Sequence, residues 1–160
     1  MLGRILTAAE AGIECAELRA SGRTVVFTNG CFDLLHKGHI HVLNRAASFG
    51  DVLVVGLNTD DGVRRLKGPS RPVQDLEERA LILTSLRVVD IVVPFGEDTP
   101  FELIGRLIPH VLVKGGDYSV DSVVGSETVI SNGGRVEIVS LLPGYSTSSL
   151  IRRLTGRAAE

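Results

Sequence analysis

The sequence contains no tryptophan, one methionine and only 4% aromatic residues. So little flat π surface offers single-stranded nucleic acid few places to stack. There is no basic excess either: Lys+Arg number 17 against 19 Asp+Glu, a formal charge of -2. No nucleic-acid partner is expected on that balance. The two cysteines, Cys15 and Cys31, make neither a disulfide framework nor a metal-ligand spacing. No apolar run approaches the roughly 20 residues that span a bilayer, and the N-terminus lacks the apolar stretch of a signal peptide. The expectation is a cytoplasmic protein without a membrane partner. What remains is an ordinary mix, 44% hydrophobic and 22% charged over 160 residues. That suits one globular domain, residues 1–160, with a real core.

Helical and strand-like patterns alternate along it. Residues 1–23 read as a helical N-terminal extension, with a capping box at Thr7-Ala-Ala-Glu10 and an apolar face of Ile13, Ala16 and Ala20. Short apolar, β-branched runs at 24–28, 52–57, 88–94, 111–114 and 136–141 read as five buried strands. Between and after them, helices are expected at 38–49, around Val63 and Leu66, at 75–86, from Pro100 to before Pro109, within 121–131 and at 146–154. Near-continuous apolar strands suit a parallel sheet covered on both faces. The fold class is therefore α/β, a doubly wound Rossmann-like sandwich with a five-stranded parallel sheet. Ligands in such folds sit beyond the carboxyl ends of the strands. The polar, glycine-bearing segments 28–39, 58–61, 67–72, 114–118 and 144–149 all fall there.

The most informative segment is Thr28-Asn-Gly-Cys-Phe-Asp-Leu-Leu-His-Lys-Gly-His39. A strand ends at Asn29-Gly30, where the backbone can turn and approach a ligand. A helix pattern starts near Gly38, and His36 and His39 at spacing i, i+3 can face one way. The helix start offers unpaired N–H groups and a positive dipole end. Together these parts suit a polyphosphate. Main-chain N–H groups of Gly30, Cys31 and Phe32 suit it too, and Asp33 reads as an orienting or turn-capping residue. Arg79, inside a helix, fits a structural ion pair or a ligand contact equally. His41 and His110 read as structural.

The segment 28–39 resembles the HxGH (HIGH) signature of the nucleotidyltransferase superfamily, with His36, Gly38 and His39 in the defining places. The likeness continues through Arg65-Leu-Lys-Gly68, Ser70-Arg-Pro-Val73, Glu97-Asp-Thr-Pro100 and Leu112-Val-Lys-Gly-Gly-Asp-Tyr118. In these stretches the chain resembles the D-glycero-β-D-manno-heptose 1-phosphate adenylyltransferases, many of which are one half of a bifunctional protein with a sugar kinase. The resemblance implies transfer of AMP from ATP to a sugar 1-phosphate, releasing pyrophosphate, with Mg2+ accompanying ATP and no metal ligand from the protein. It implies catalytic roles for His36, His39 and Lys67. Nucleotide contacts would come from Thr28, Asn29, Gly30, Cys31, Phe32, Gly38, Lys114, Gly115, Gly116, Asp117, Ser146, Thr147 and Ser148. Asp33, Lys67 and Arg71 would face the sugar phosphate. A homodimer, a separate kinase and a product destined for lipopolysaccharide core or another glycoconjugate belong to the same expectation. One departure stands out. Related cytidylyltransferases carry Arg-Thr-Glu-Gly-Ile-Ser-Thr-Ser before the last helix, where this chain has Leu141-Leu-Pro-Gly-Tyr-Ser-Thr-Ser148. The hydroxyls persist and the arginine does not, which disfavours the alternative of a glycerol-3-phosphate cytidylyltransferase. A non-catalytic nucleotide-binding module is the alternative from another class.

Overall fold

In the computed structural model, which describes residues 3–156, strands and helices alternate except where two helices join β3 to β4. β1 (Arg4–Ile5) leads into α1 (Ala8–Ala20), β2 (Val25–Gly30), α2 (Lys37–Ala47), β3 (Val52–Asn58), α3 (Asp60–Lys67) and α4 (Leu76–Thr84). Then follow β4 (Ile91–Phe95), α5 (Phe101–Leu107), β5 (Val111–Gly115), a 3-10 turn at Val120–Ser122, α6 (Ser126–Ser131), β6 (Arg135–Val139) and α7 (Thr147–Thr155). Capping boxes at Thr7 and Asp75 start α1 and α4, each with a glutamate reaching back to the cap N–H. Pro100 is itself the cap of α5, so that helix opens at Phe101.

The strands form one sheet in the order β1-β4-β3-β2-β5-β6, every neighbouring pair parallel. The sheet thus has six strands, which corrects the expected five. The extra strand, β1, is two residues long and exposed on both, so it carries no apolar period. It exists because main-chain N–H groups of Arg4 and Leu6 reach the carbonyls of Asp90 and Val92 on the β4 edge, at 2.9 and 3.0 Å.

Alternate residues of each strand feed two cores. Val25, Phe27, Val52 and Val54 pack on one face with Ala11, Cys15, Leu103 and Val129 of α1, α5 and α6. Val26, Leu53 and Val55 pack on the other with Leu43, Ala46, Ala80 and Leu83 of α2 and α4. The face of α1 is a second correction. Ala11 and Cys15 point inward, whereas Ile13 is 65% exposed. Small residues win that side because α1 lies close on α5: a Cβ on Gly12 would stand 3.5 Å from the Arg106 carbonyl. The helix expected within 121–131 is α6, preceded by the 3-10 turn.

Candidate active site

The strand order reverses between β2 and β5: β3 and β4 follow β2 to one side, and β5 and β6 lie on the other. The pairing of β2 with β5 ends at Phe27 and Leu112, while β2 stays paired with β3 as far as Gly30. Two strands that part at their carboxyl ends leave a cleft at the topological switch point. A cavity of ≈ 550 Å3 fills it.

α2 begins at the cavity wall, and His36 is its N-cap. The His36 Nδ1 accepts the main-chain N–H groups of Gly38 at 3.1 Å and His39 at 3.4 Å. This corrects the expected offer of free N–H groups at this helix start: the histidine takes them itself. Two donors to Nδ1 assign the ring proton to Nε2, so His36 presents an N–H donor on a ring that lines the cavity. The His39 ring stacks on it, with centroids 3.8 Å apart and planes 20° from parallel. Gly38 makes the stack possible, since a Cβ there would meet the His36 ring at 3.0 Å and the Tyr145 Cβ at 3.2 Å. Burial, then the neighbouring His36, pulls the His39 pKa down to about 4, and burial also lowers that of His36. Both rings are therefore neutral at pH 7. His39 Nδ1 is buried with no partner.

The loop before α2 is strained and firmly tied. Phe32 and Leu34 hold left-handed backbones, φ 44 and 53, which bulky residues adopt at a cost. The Phe32 ring folds into the core beneath Gly30 and lies 5.3 Å from the His39 ring. Between them the buried Asp33 carboxylate accepts the N–H groups of Val73 (3.0 Å) and Gln74 (3.1 Å) and the Arg71 Nε at 2.6 Å. Burial alone would raise the Asp33 carboxyl. Those hydrogen bonds and the Arg71 charge outweigh burial and hold it below the ordinary carboxylate value. On the other side, Thr147 Oγ1 donates to the Asp33 carbonyl at 2.9 Å, fastening the start of α7. Burial pushes the Cys31 thiol up against the pull of nearby Lys67 and Arg79, so it stays protonated and a poor nucleophile.

Cations flank the cavity on both sides. Lys114 at the end of β5 is half-buried, and burial lowers its pKa. Its Nζ stands 3.5 Å from Asn29 Oδ1 and 5.8 Å from the centre of the Tyr118 ring. Lys67 at the end of α3 is exposed. Among the described residues, neither ammonium pairs with a carboxylate. Among the described residues, Asp33 is the one acidic residue lining the cavity.

Most residues singled out from the sequence converge here. Thr28 to Asp33, His36, His39, Lys67, Arg71, Lys114, Gly115 and Ser146 to Ser148 all line the cavity. Gly38 lies behind the stacked rings instead. Gly116 and Asp117 are not part of the wall: Gly116, at φ 136, turns the chain, and Asp117 faces solvent. Tyr118 returns to the wall in its place. Val42 and Leu66 also line it, unmarked by sequence reasoning, together with Asn58 from the polar 58–61 segment and Leu141 from the position where the related cytidylyltransferases carry arginine. Arg79 turns inward rather than to a ligand, with 1% exposure and an ion pair to Asp60 at 2.7 Å. His110 is structural, its Nδ1 accepting the Val25 N–H at 3.0 Å.

A family profile described as cytidylyltransferase-like matches residues 27–153. The chain belongs to the cytidylyltransferase-like family. Among its relatives are the bifunctional protein HldE of Syntrophotalea carbinolica, 57% identical over 139 residues, and that of Geobacter sulfurreducens, 58% identical over 144. Those alignments cover 87% and 90% of this cytidylyltransferase-like chain but only 28% and 29% of the relatives' length. A lipopolysaccharide core biosynthesis protein from Thermoplasma volcanium is 30% identical, with a TM-score of 0.61 over 76% of this chain and 98% of that one. The pantoate-beta-alanine ligase of Francisella tularensis shares the fold, with a TM-score of 0.62 over 98% of this chain and 80% of its own, at 14% identity.

Proposed function

We propose that this domain transfers the adenylyl group of ATP to D-glycero-β-D-manno-heptose 1-phosphate, giving ADP-heptose and pyrophosphate. The observation that carries the reading is electrostatic. Among the described residues, two stacked imidazoles and two ammonium groups without carboxylate partners surround a cavity whose single carboxylate is already engaged. Such a space favours a polyanion and leaves no acid free to repel it. The resemblance through Leu112-Val-Lys-Gly-Gly-Asp-Tyr118 and the identity to the HldE proteins support the choice of sugar.

An oxygen of the sugar phosphate attacks the α-phosphorus of ATP. The bond to the β-phosphate oxygen breaks, and pyrophosphate leaves with the electron pair. The attacking group is already an anion, so no base is required. The residues' task is to hold two anions in line and to meet charge growing on the leaving group. His36 donates from Nε2, and His39 beside it contacts the α- and β-phosphates. Lys114, Thr28 to Phe32, and the N–H groups of Thr147 and Ser148 contact the nucleotide. Lys67 and the remaining Nη donors of Arg71 grip the sugar phosphate. The apolar corner where Val42 and Leu141 close over Gly115 suits a purine face. Asp33, with its oxygens engaged, orients the loop rather than touching sugar.

The residues present do not fit a protein-held metal site: among those described, no cluster of three acidic, histidine or cysteine ligands forms. Mg2+ therefore enters this reading only as part of its ATP complex. A homodimer and a cytoplasmic setting belong to the same proposal, and sedimentation tests the first.

The deciding experiment incubates the protein with each nucleoside triphosphate and either heptose 1-phosphate or glycerol 3-phosphate, following pyrophosphate. Release with ATP and the heptose is expected. Release only with CTP and glycerol 3-phosphate would overturn the proposal, as would nucleotide binding with no turnover on either acceptor.

A further inference from the structure

Arg79 lies in the middle of α4, where an arginine ordinarily faces water. Here its guanidinium is enclosed. Nη1 donates to the Cys31 carbonyl at 2.7 Å and to the Asn58 carbonyl at 2.9 Å; Nε donates to the Gln74 carbonyl at 3.0 Å; Nη2 pairs with Asp60 at 2.7 Å. One side chain thus joins four places: the chain just past β2, the last residue of β3, the loop before α4 and the first residue of α3. Buried arginine is costly unless its donors are met in this way.

The bond to Cys31 has a geometric consequence. A trans peptide is planar, and its N–H points opposite to its C=O. The Cys31–Phe32 peptide is trans. Its carbonyl is held from the protein interior by Arg79, so the Phe32 N–H is directed the other way, on a residue that lines the cavity. Among the described residues, that N–H has no acceptor. The Gly38 and His39 N–H groups of α2 are already taken by His36, and Phe32 offers a main-chain donor beside the stacked rings. Phe32 also keeps a left-handed φ of 44, a conformation that needs outside support.

We infer that Arg79 is a positioning residue: by holding the Cys31 carbonyl it aims the Phe32 N–H at a phosphoryl oxygen of the bound substrate. This rests on the polyphosphate reading of the cavity. Arg79 touches no substrate. It acts through one peptide unit.

The test compares Arg79→Lys and Arg79→Met with Leu83→Val, which trims the same helix on its core side without touching the cavity wall. Lysine keeps the charge but cannot serve three carbonyls and a carboxylate from fixed directions. Both Arg79 variants are expected to lose at least ~30-fold in kcat/KM well below their Tm, since misplaced donors cost far more than lost stability does. Leu83→Val, destabilised, should stay within about 3-fold. The second readout is the Phe32 amide resonance on adding inorganic pyrophosphate. It should shift in the wild type and not in Arg79→Lys. If Arg79→Met does not fold, Arg79→Lys decides. An Arg79→Lys protein that turns over normally, or whose Phe32 amide still answers pyrophosphate, overturns the inference. So does Leu83→Val losing activity as severely. A wild-type Phe32 amide that stays still while other cavity amides respond overturns the aiming of this peptide but leaves the polyphosphate site standing; no response anywhere removes both.

Discussion

Two helices begin at the same cavity, and they are built differently. α2 is anchored: Gly38, Val42, Leu43 and Ala46 are buried, its cap is an imidazole, and the Gly38 and His39 N–H groups are spent on that cap. α7 buries no residue. It is capped by the Ser146 hydroxyl at 3.1 Å and tied to the neighbouring loop by Thr147. One helix start offers side chains held within a packed core. The other offers open main-chain donors on a loosely held rim. The lesson is that a helix N-terminus facing an anion site need not bind with its backbone. A cap that uses the backbone can pass the donor role to its own far nitrogen.

The contrast predicts unequal damage. His39→Ala, on the anchored side, should lower kcat at least ~100-fold while ATP binding weakens less, read by steady-state rates and calorimetry. Turnover near that of the wild type would remove His39 from the chemistry. His36→Asp separates cap from donor. Aspartate is a good N-cap, so Tm should hold, yet the donor is lost and rates should fall roughly 100-fold. His36→Ala should lose the same activity and also about 1 kcal/mol of stability.

Stability against pH gives the next effect. The folded His39 value of about 4 lies below the ordinary 6.5. As pH falls through that interval the unfolded chain takes up a proton that the folded one refuses, so stability is full above pH 6.5 and drains away toward pH 4. The loss should reach roughly 2–3 kcal/mol, and urea midpoints of His39→Gln should show a flatter slope over that window. Asp33 acts lower. Its contribution is present above the ordinary 3.8 and is lost as pH falls below it, through the depressed folded value. Smallest should be Thr147→Val on the rim: about a 10-fold rise in the KM for ATP with kcat nearly kept, and faster amide exchange in α7 for about 1 kcal/mol lost. A kcat collapse there would mean α7 belongs to the anchored machinery.

Much of this architecture was legible from residues alone, for physical reasons that also explain what was not. Buried parallel strands announce themselves as apolar runs, and Val52 to Leu57 could be little else. β1 could not be seen, because two exposed residues joined to an edge by backbone bonds leave no pattern. The inward face of α1 was ambiguous for a different reason: Ile13, Ala16 and Ala20 repeat as helically as Ala11, Cys15 and Leu18, and only contact with α5 chooses between them. In the cavity, the imidazole pair and both lysines sit on segments that the glycine and histidine spacing marked out. The ion pair of Arg79 was one of two open readings, and nothing in Leu76-Glu-Glu-Arg-Ala80 says that this one charged residue turns inward. Asp117 left the wall and Tyr118 joined it past a positive-φ turn at Gly116 that no sequence pattern announces.

The commitment of His36 Nδ1 to the backbone reaches into kinetics. An imidazole with one lone pair occupied by amide hydrogens cannot relay a hydrogen ion from one side of the ring to the other. If phosphoryl chemistry at this ring proceeds by donation without transfer, turnover in heavy water should match that in light water almost unchanged, and the histidine would serve the reaction as a fixture rather than as a shuttle.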